Sequence, residues 1–320
     1  MGYKRRLRLA LLGFARSVGL FAAARWLCRH QARIVCYHGF AYRDEHKFVP
    51  QLFMAPATFK RRLALLHRSG LVPVSLDALV TRLEHGSAVS GLLVITVDDG
   101  WSGFARFAWP QLKASGTPCT LYLTTWYADK GWPVLNVLRR YLDWHRIDLP
   151  AETSNAGVEF EQLRRAATNQ GLDLQCEDGA LFRLSRLDEV RQMVAEGLDV
   201  QLHTHRHRMP KEASALCAEL QDNRTAIAQT SPGPAVHLCY PSGDYEASQI
   251  PHLQSCGVRS ATTTHLGLVS RESDRWQLPR LLDSDQLDDI EFEAELCGFM
   301  SLTRAALRRQ VRSQPRRRDA

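Results

Sequence analysis

The hydrophobic positions of this chain form two kinds of pattern that alternate along its length. Short apolar runs rich in β-branched residues predict buried strands at 33–37, 92–97, 119–123, 199–202, 236–240 and 258–263. Between them, apolar residues at helical spacing predict helices at 57–69, 76–84, 103–114, 186–196 and 211–229. Because strands alternate with helices, the pattern predicts an α/β fold with a mainly parallel sheet or barrel.

One long segment, residues 126–185, interrupts this alternation. It contains Trp126, Tyr127, Trp132 and Trp144 within a largely helical and polar stretch. We interpret it as an insertion that caps or walls a site. Its aromatic side chains either stack on sugar rings or pack a local core.

The two ends of the chain differ from the middle. A basic amphipathic helix is predicted over 5–28, within an N-terminal segment 1–30 that either docks on the domain or lies on a membrane. Arg16 breaks its apolar stretch, which is therefore too interrupted to span a bilayer or to match a signal peptide. We expect a catalytic domain at 31–295 and a basic tail at 296–320.

The composition bears on the net charge of the protein and on its cellular compartment. The formal net charge is +7, and much of the excess lies at the two ends, which suits an anionic membrane surface or simply a solvated tail. No recognised nucleic-acid-binding module accompanies the basic tail, so we expect no nucleic-acid partner. The eight cysteines contain no C-x-x-C pair, which argues against a structural zinc site of that type. Reduced thiols are the simpler interpretation, although the even number of cysteines also allows disulfides. Together with the lack of a clean signal peptide, this favours a cytoplasmic protein, peripheral at the inner membrane.

Polar clusters follow the predicted strands where those strands end. They are His38, the pair Asp98 and Asp99, the run 203–207 and the segment 242–245. In parallel α/β folds, ligands bind at the carboxyl ends of the strands. The sequence therefore predicts one site built from these clusters.

The chemistry of two clusters indicates a metal. Adjacent carboxylates at the end of a buried strand are costly without a counter-charge, which a divalent ion supplies. His203 and His207 are good zinc ligands and lie on one side of a turn, while His205 points elsewhere. One of the two carboxylates can bind the ion while its neighbour stays free to accept a proton. The alternatives are an ordinary Asp-Asp-Gly turn and an exposed basic loop.

Three motifs resemble one known family. T-V-D-D-G at 96–100 and H-T-H-R-H at 203–207 are similar to the first two motifs of the polysaccharide deacetylase family, also called NodB-homology or carbohydrate esterase family 4. L-C-Y-P-S-G at 238–243 is similar to its third motif. The resemblance covers about residues 33–290.

This resemblance implies a distorted (β/α) barrel of the NodB-homology type and hydrolysis of N-acetyl groups on a glycan or glycolipid. It implies Asp98 as general base and zinc, or another divalent ion such as Co²⁺ or Ni²⁺, as cofactor. The implied metal ligands are Asp99, His203 and His207. The implied substrate-binding residues are Tyr240, Pro241, Ser242 and Gly243, near which a backbone N–H would hold the oxyanion.

The chain also departs from the family pattern at two positions. Cys239 stands where the third motif usually has the arginine that orients the base, and Arg280 is our candidate substitute. The late Leu-x-His motif that supplies the general acid is not visible. We favour His38 as its replacement over His237 and His265, because His38 ends the first strand.

Two alternatives remain open at this level. A weakened family member would bind a glycan without hydrolysing it, which the missing arginine and late histidine favour. Two histidines and one carboxylate also form the facial triad of iron oxygenases, although the order of the residues along the chain differs.

Overall fold

A closed barrel of seven parallel strands forms the centre of the computed structural model, which describes residues 2–176 and 179–313. The strands are β1 (Arg33–Tyr37), β2 (Gly39–Phe40), β3 (Phe53–Met54), β4 (Val72–Pro73), β5 (Leu92–Asp99), β6 (Cys119–Leu123), β7 (Gln175–Cys176), β8 (Gly179–Ala180), β9 (Asp199–Leu202), β10 (His237–Cys239), β11 (Ser260–Leu266) and β12 (Leu278–Leu282). The barrel order is β1-β12-β11-β10-β9-β6-β5, and β4 pairs with the beginning of β5.

Helices surround the barrel. They are α1 (Tyr3–Ser17), α2 (Leu20–Leu27), α3 (Glu45–Phe48), α4 (Pro56–Arg68), α5 (Leu76–Glu84), α6 (Trp109–Ala114), α7 (Thr125–Lys130), α8 (Leu135–Trp144), α9 (Ala156–Asn169), α10 (Leu187–Ala195), α11 (Ala213–Ile227), α12 (Ile250–Ser255), α13 (Asp289–Leu296) and α14 (Phe299–Ser313). This architecture confirms the predicted α/β barrel with an inserted segment and a helical N-terminal extension.

The barrel is closed by β1, which pairs with β5 on one side and with β12, the last strand, on the other. Val35 is in register with Ile95 of β5 on one side and with Leu281 of β12 on the other. All five residues of β1 and all eight of β5 are buried. Because these strands are covered on both faces, their sequences are nearly continuous apolar runs.

The inserted segment is joined to the loop that follows β5. Ser102 N–H donates to the Arg183 carbonyl at 3.0 Å, and Ser185 N–H donates to the Gly100 carbonyl at 2.8 Å. A bridge also pairs Trp101 with Leu184. The insertion therefore packs beside the end of β5, where it forms one wall of the site.

The structure corrects the prediction of a single helix over 5–28. The chain breaks at Gly19, whose φ of +83° is a left-handed conformation that glycine adopts without strain, so α1 and α2 form instead. Among the described residues, no single helix is long and apolar enough to cross a membrane. The pair α1 and α2 meets that test of length and composition together, but the two are bent by 74°.

The C-terminal segment and the cysteines also differ from expectation. Residues 299–313, expected to lie in a basic tail, form α14, which packs on α2 with the Phe21 and Phe299 rings 5.3 Å apart. The run 316–318 lies outside the described residues. Reduced thiols were the simpler interpretation of the cysteines, but a disulfide, which their even number allowed, joins Cys217 to Cys256. The division at 1–30, 31–295 and 296–320 stays a prediction.

Candidate active site

The predicted polar clusters meet at the carboxyl ends of the barrel strands. Asp98 and Asp99 end β5, and His203 follows β9 directly. His38 follows β1, while Arg280 lies within β12, the neighbour of β1. Closure of the barrel thus brings together residues that are far apart in the sequence.

The first group at this site is built around one oxygen of Asp99. The Asp99 Oδ1 atom lies 3.2 Å from His203 Nε2 and 3.3 Å from His207 Nε2. The donor atoms of these three residues all lie within 4.8 Å of one another. One carboxylate and two imidazoles with positions left open are the donor set of a catalytic zinc site, so these residues fit a divalent metal.

The surroundings of this group fix its orientation. The His203 Nδ1 donates to the Cys239 carbonyl at 2.8 Å, which leaves Nε2 to face Asp99. Trp101 Nε1 donates to Asp99 Oδ2 at 2.8 Å, so that Oδ1 alone faces the histidines. Burial raises the pKa of the Asp99 carboxyl, but its hydrogen bonds to His203 and His207 outweigh burial and hold that pKa well below its usual range.

Backbone strain is concentrated at these loops. Asp99, Thr204, His207 and Ser242 have φ angles between +54° and +69°, which are uncommon for residues with a side chain. Such conformations cost about 1–3 kcal/mol each and persist where the surroundings impose them. The i, i+4 spacing of His203 and His207 therefore comes from a strained turn and not from a helix.

The second group at the site is a buried ion pair. Arg280 donates from Nη1 and Nη2 to the two oxygens of Asp98 at 2.7 and 2.8 Å, a bidentate contact. Thr263 and Thr96 hold the guanidinium, with Nε donating to the Thr263 carbonyl at 2.9 Å. Burial raises the pKa of the Asp98 carboxyl, yet the charge and hydrogen bonds of Arg280 outweigh it and keep that pKa far below its usual range. Asp98 is therefore ionised at neutral pH.

Two thiols lie against the same carboxylate. The Sγ atoms of Cys36 and Cys239 are 3.5 and 3.3 Å from Asp98 Oδ2, and Arg280 Nη2 donates to the Cys239 Sγ at 3.2 Å. Burial raises the pKa of Cys36 well above its usual value, so this thiol stays protonated and donates to the carboxylate. Neither contact follows from the local sequence, because Cys36 and Cys239 lie in apolar, strand-like runs where a free cysteine is typically a small buried hydrophobe.

Of the three histidines considered as a general acid, the structure brings one to the site. His38 Nε2 lies 3.6 Å from Asp98 Oδ2, and a quarter of its side chain is exposed. His237 is buried at the start of β10, where it contacts Asp77 and Ser260. His265 is exposed near the end of β11, with its ring 6.4 Å from that of Tyr245.

A cleft of about 360 Å³ opens beside the metal-ligand group. Its lining combines Asp99 and His207 with Leu52, Trp101, Thr124, Tyr127, Val134, Asn136, Val137, Leu184 and Arg206. Of the four aromatic residues that we considered for sugar stacking, Tyr127 lines this cleft. Trp126 and Trp132 pack near each other, 6.3 Å between ring centroids, and Trp144 packs on Phe48 and Tyr141.

The segment from Tyr240 to Gly243 was expected to bind substrate. Tyr240 is buried, its hydroxyl donates to the Trp276 carbonyl, and its ring stacks on Tyr245 at 4.2 Å. The N–H groups of Tyr240 and Gly243 already donate to the carbonyls of Thr262 and Tyr240. Pro241 has no N–H, so the exposed Ser242 is the residue of this turn whose N–H has no partner in the described part of the chain.

Trp101 is the site residue that sequence reasoning missed. It fixes Asp99 and lines the cleft, yet its neighbours along the chain suggested only a turn followed by a helix. The available signal was its position, a tryptophan two residues beyond a candidate ligand.

Comparison with known proteins agrees with this geometry. A family model described as polysaccharide deacetylase matches residues 86–261. The structure of the Streptococcus pyogenes deacetylase PplD in complex with acetate is similar, with a TM-score of 0.60 at 16% identity over 83% of this chain and 98% of PplD. IcaB from Ammonifex degensii gives 0.58 at 16% identity over 84% of this chain and 97% of its own.

A de-N-acetylase from Aggregatibacter actinomycetemcomitans gives a TM-score of 0.59 at 15% identity, over 83% of this chain and 99% of that one. These structures share the fold, while no curated protein matches the chain in sequence. The family model covers more than half of the chain and includes both the Asp-Asp and the His-x-x-x-His segments. The chain therefore belongs to the polysaccharide deacetylase family and is a hydrolase of carbon–nitrogen bonds other than peptide bonds.

Proposed function

We propose that this protein removes N-acetyl groups from amino-sugar units of a glycan or glycolipid, with a divalent metal held by Asp99, His203 and His207. The observation that carries this proposal is that two adjacent carboxylates have different partners. Asp99 faces two imidazoles, while Asp98 faces the Arg280 guanidinium. This difference in surroundings supports a ligand role for Asp99 and a base role for Asp98.

Two contacts of the described residues support this ligand set. Hydrogen bonds hold the pKa of Asp99 low, and the Cys239 carbonyl fixes the tautomer of His203. When bound, a divalent ion supplies a Lewis acid for the acetyl carbonyl and lowers the pKa of water. Donor chemistry supports zinc and equally admits cobalt or nickel.

Asp98 acts as the general base in this proposal. Its bidentate contact with Arg280 keeps it ionised and fixes its plane, so it can accept a proton from the attacking water. The new bond joins the water oxygen to the acetyl carbon. The bond that breaks joins that carbon to the sugar nitrogen, and acetate leaves.

His38 acts as the general acid. Its partly exposed imidazole lies beside Asp98, so it can give a proton to the sugar nitrogen as the amide bond breaks. The Ser242 N–H is our candidate for holding the oxyanion, since the other N–H groups of its turn are taken. Because Arg280 occupies the place of the arginine that the third motif lacks, the contact with Asp98 argues for an active enzyme over a weakened one.

Acetate release from N-acetylated glycans, measured together with metal content, tests this proposal. We expect about one metal per chain, and Asp98→Asn should keep the metal but lose about 10²–10⁴-fold in turnover. His203→Ala should lose both. Asp188→Asn and His85→Ala, at exposed positions, serve as matched controls.

Three outcomes would contradict the proposal. Normal turnover by Asp98→Asn would exclude Asp98 as the base. Full metal content in His203→Ala would exclude the metal site formed by Asp99, His203 and His207. Turnover that requires iron and a 2-oxo acid co-substrate would place the chain among the iron oxygenases instead.

A further inference from the structure

The N-terminal helix pair exposes an apolar stripe that nothing in the described structure covers. Tyr3, Leu7, Leu11 and Phe14 of α1, together with Val18 directly after it, recur every three or four residues and are 48–80% exposed. This spacing places them on one side of the helix. Contiguous apolar surface of this kind marks an interaction site.

The opposite face of α1 already holds the helix on the protein. Leu12 and Ala15 are buried in a small core shared with α13. Arg8 pairs with Glu291 at 2.9 Å and Arg16 with Glu293 at 3.3 Å. Because folding uses this face, the apolar stripe is available to a partner.

The second helix extends the exposed apolar surface. On α2, Phe21 and Ala24 are buried, while Leu20, Trp26 and Leu27 are 46–62% exposed. Arg29 lies over the Trp26 ring at 4.1 Å, an aromatic group with a cation at its face. Tryptophan beside arginine is typical of the membrane–water interface.

Unpaired positive charge borders this surface. Lys4, Arg6, Arg25 and Arg29 have no acidic partner among the described residues. Behind the helices, a cavity of about 200 Å³ is lined by Arg16, Arg25, Arg33 and Arg68, with Glu293 as the one acid in its lining. The Arg33 Nη2 is buried without a hydrogen-bond partner. The unpaired cations next to the apolar stripe suit phosphate oxyanions, and the arginines behind the helices add positive charge beneath them.

We propose that α1 and α2 form a peripheral binding surface for an anionic phospholipid bilayer. A second copy of the chain fits less well, because an isologous contact would bring the same cations together. A groove for one straight helix fits less well too, because the pair is bent by 74°. A bilayer surface does not require a straight helix, and its phosphate groups complement the positive charges of this surface.

Vesicle sedimentation with the full chain tests this proposal. The probes are vesicles of phosphatidylcholine alone and vesicles that also contain a large fraction of phosphatidylglycerol. We expect binding to the anionic vesicles that weakens as salt is raised. The triple variant Leu7→Ser, Leu11→Ser and Phe14→Ser should bind at least about tenfold more weakly. The triple variant Lys4→Gln, Arg6→Gln and Arg25→Gln should lose the preference for anionic vesicles.

A matched control replaces exposed apolar residues on other surfaces, with Val72→Ser, Val158→Ser and Leu266→Ser combined. It should bind like the original protein, and thermal melts should show that each variant folds. The proposal is overturned if the original protein ignores anionic vesicles, or if the stripe variant binds them equally. It is also overturned if sedimentation shows a dimer that the stripe variant dissociates.

Discussion

At the scale of single residues, Asp98 and Asp99 are neighbours that the structure gives opposite surroundings. The positive φ of +69° at Asp99 turns its side chain to the histidines, while Asp98 keeps its contact with Arg280. The burial of two adjacent carboxylates is costly, and each is compensated by a different partner. The Asp-Asp sequence alone indicated only a paired function. The family resemblance added His203 and His207 as partners of Asp99 and Arg280 as the candidate partner of Asp98, and the structure brings these residues together.

Arg280→Met should leave the Asp98 carboxylate buried and unpaired. Since the guanidinium no longer favours ionisation, the pKa of Asp98 rises and turnover at neutral pH should fall about 10²–10⁴-fold. The free energy of unfolding should fall by about 3–5 kcal/mol. Acetate release and urea melts measure the two effects, with Arg304→Met, which breaks the more exposed pair with Glu295, as control. Unchanged turnover would show that Asp98 does not need Arg280.

Trp101→Phe should weaken metal binding without removing a ligand. The change deletes the N–H that occupies Asp99 Oδ2, so the carboxylate is free to rotate and affinity should fall about 10–100-fold. Competition with a chelating dye measures the affinity. Trp109→Phe deletes a similar bond, to Glu196, away from the ligands and should leave metal affinity unchanged. Equal affinity in both variants would exclude an orienting role for Trp101.

At the scale of elements, the hydrophobic pattern predicted the bounds of buried strands best. It predicted helices least well where the backbone departs from regular α-helical geometry. The strands at 33–37, 119–123 and 199–202 have their predicted bounds. The predicted helix 103–114 instead begins with a π-helical turn at Phe104–Ala108 before α6. Pro110 explains this difference, because its ring lacks an N–H and clashes with the carbonyl four residues earlier, which a wider turn relieves.

The inserted segment should contribute to substrate binding and not to the chemistry. Tyr127→Ala removes an aromatic side chain from the cleft and should raise KM about 3–10-fold while metal content stays the same. Initial rates over a range of glycan concentrations measure this effect. Trp144→Ala, in the same insertion but outside the cleft lining, should leave KM unchanged. A loss in kcat alone would show that the insertion acts in some other way.

At the scale of the whole molecule, closure of the barrel determines what the sequence could and could not reveal. The clustering of polar residues at strand ends follows from parallel topology, so it could be predicted without a structure. The contact between Asp98 and Arg280 joins residues 182 positions apart, so no local pattern indicates it, and only the family resemblance led to Arg280 as a candidate. Nor does any local pattern indicate the contacts of the Cys36 and Cys239 thiols, which lie in apolar runs typical of plain core strands.

His237, at the opposite end of β10 from the site, should make stability depend on pH. Burial lowers the pKa of His237 in the folded protein. Below a pH of about 6.5, His237 is therefore protonated more fully in the unfolded chain than in the folded chain. The free energy of unfolding should therefore decrease as the pH is lowered, and this residue contributes at most about 1.4 kcal/mol per pH unit. Urea melts at mildly acidic and neutral pH should show a smaller fall in His237→Gln, but not in His252→Gln, an exposed control. An identical fall in His237→Gln would contradict this assignment.

The position of Arg280 in the last barrel strand has a consequence for the order in which the protein is assembled. During synthesis, β5 emerges long before β12, so a growing chain holds Asp98 without its cation. A barrel that closed early would bury an uncompensated charge, at a cost of several kcal/mol. Docking of β12 removes this cost and completes the Asp98–Arg280 pair in one event. The geometry of the candidate site and closure of the barrel therefore depend on the same strand, and a nascent chain without β12 lacks both.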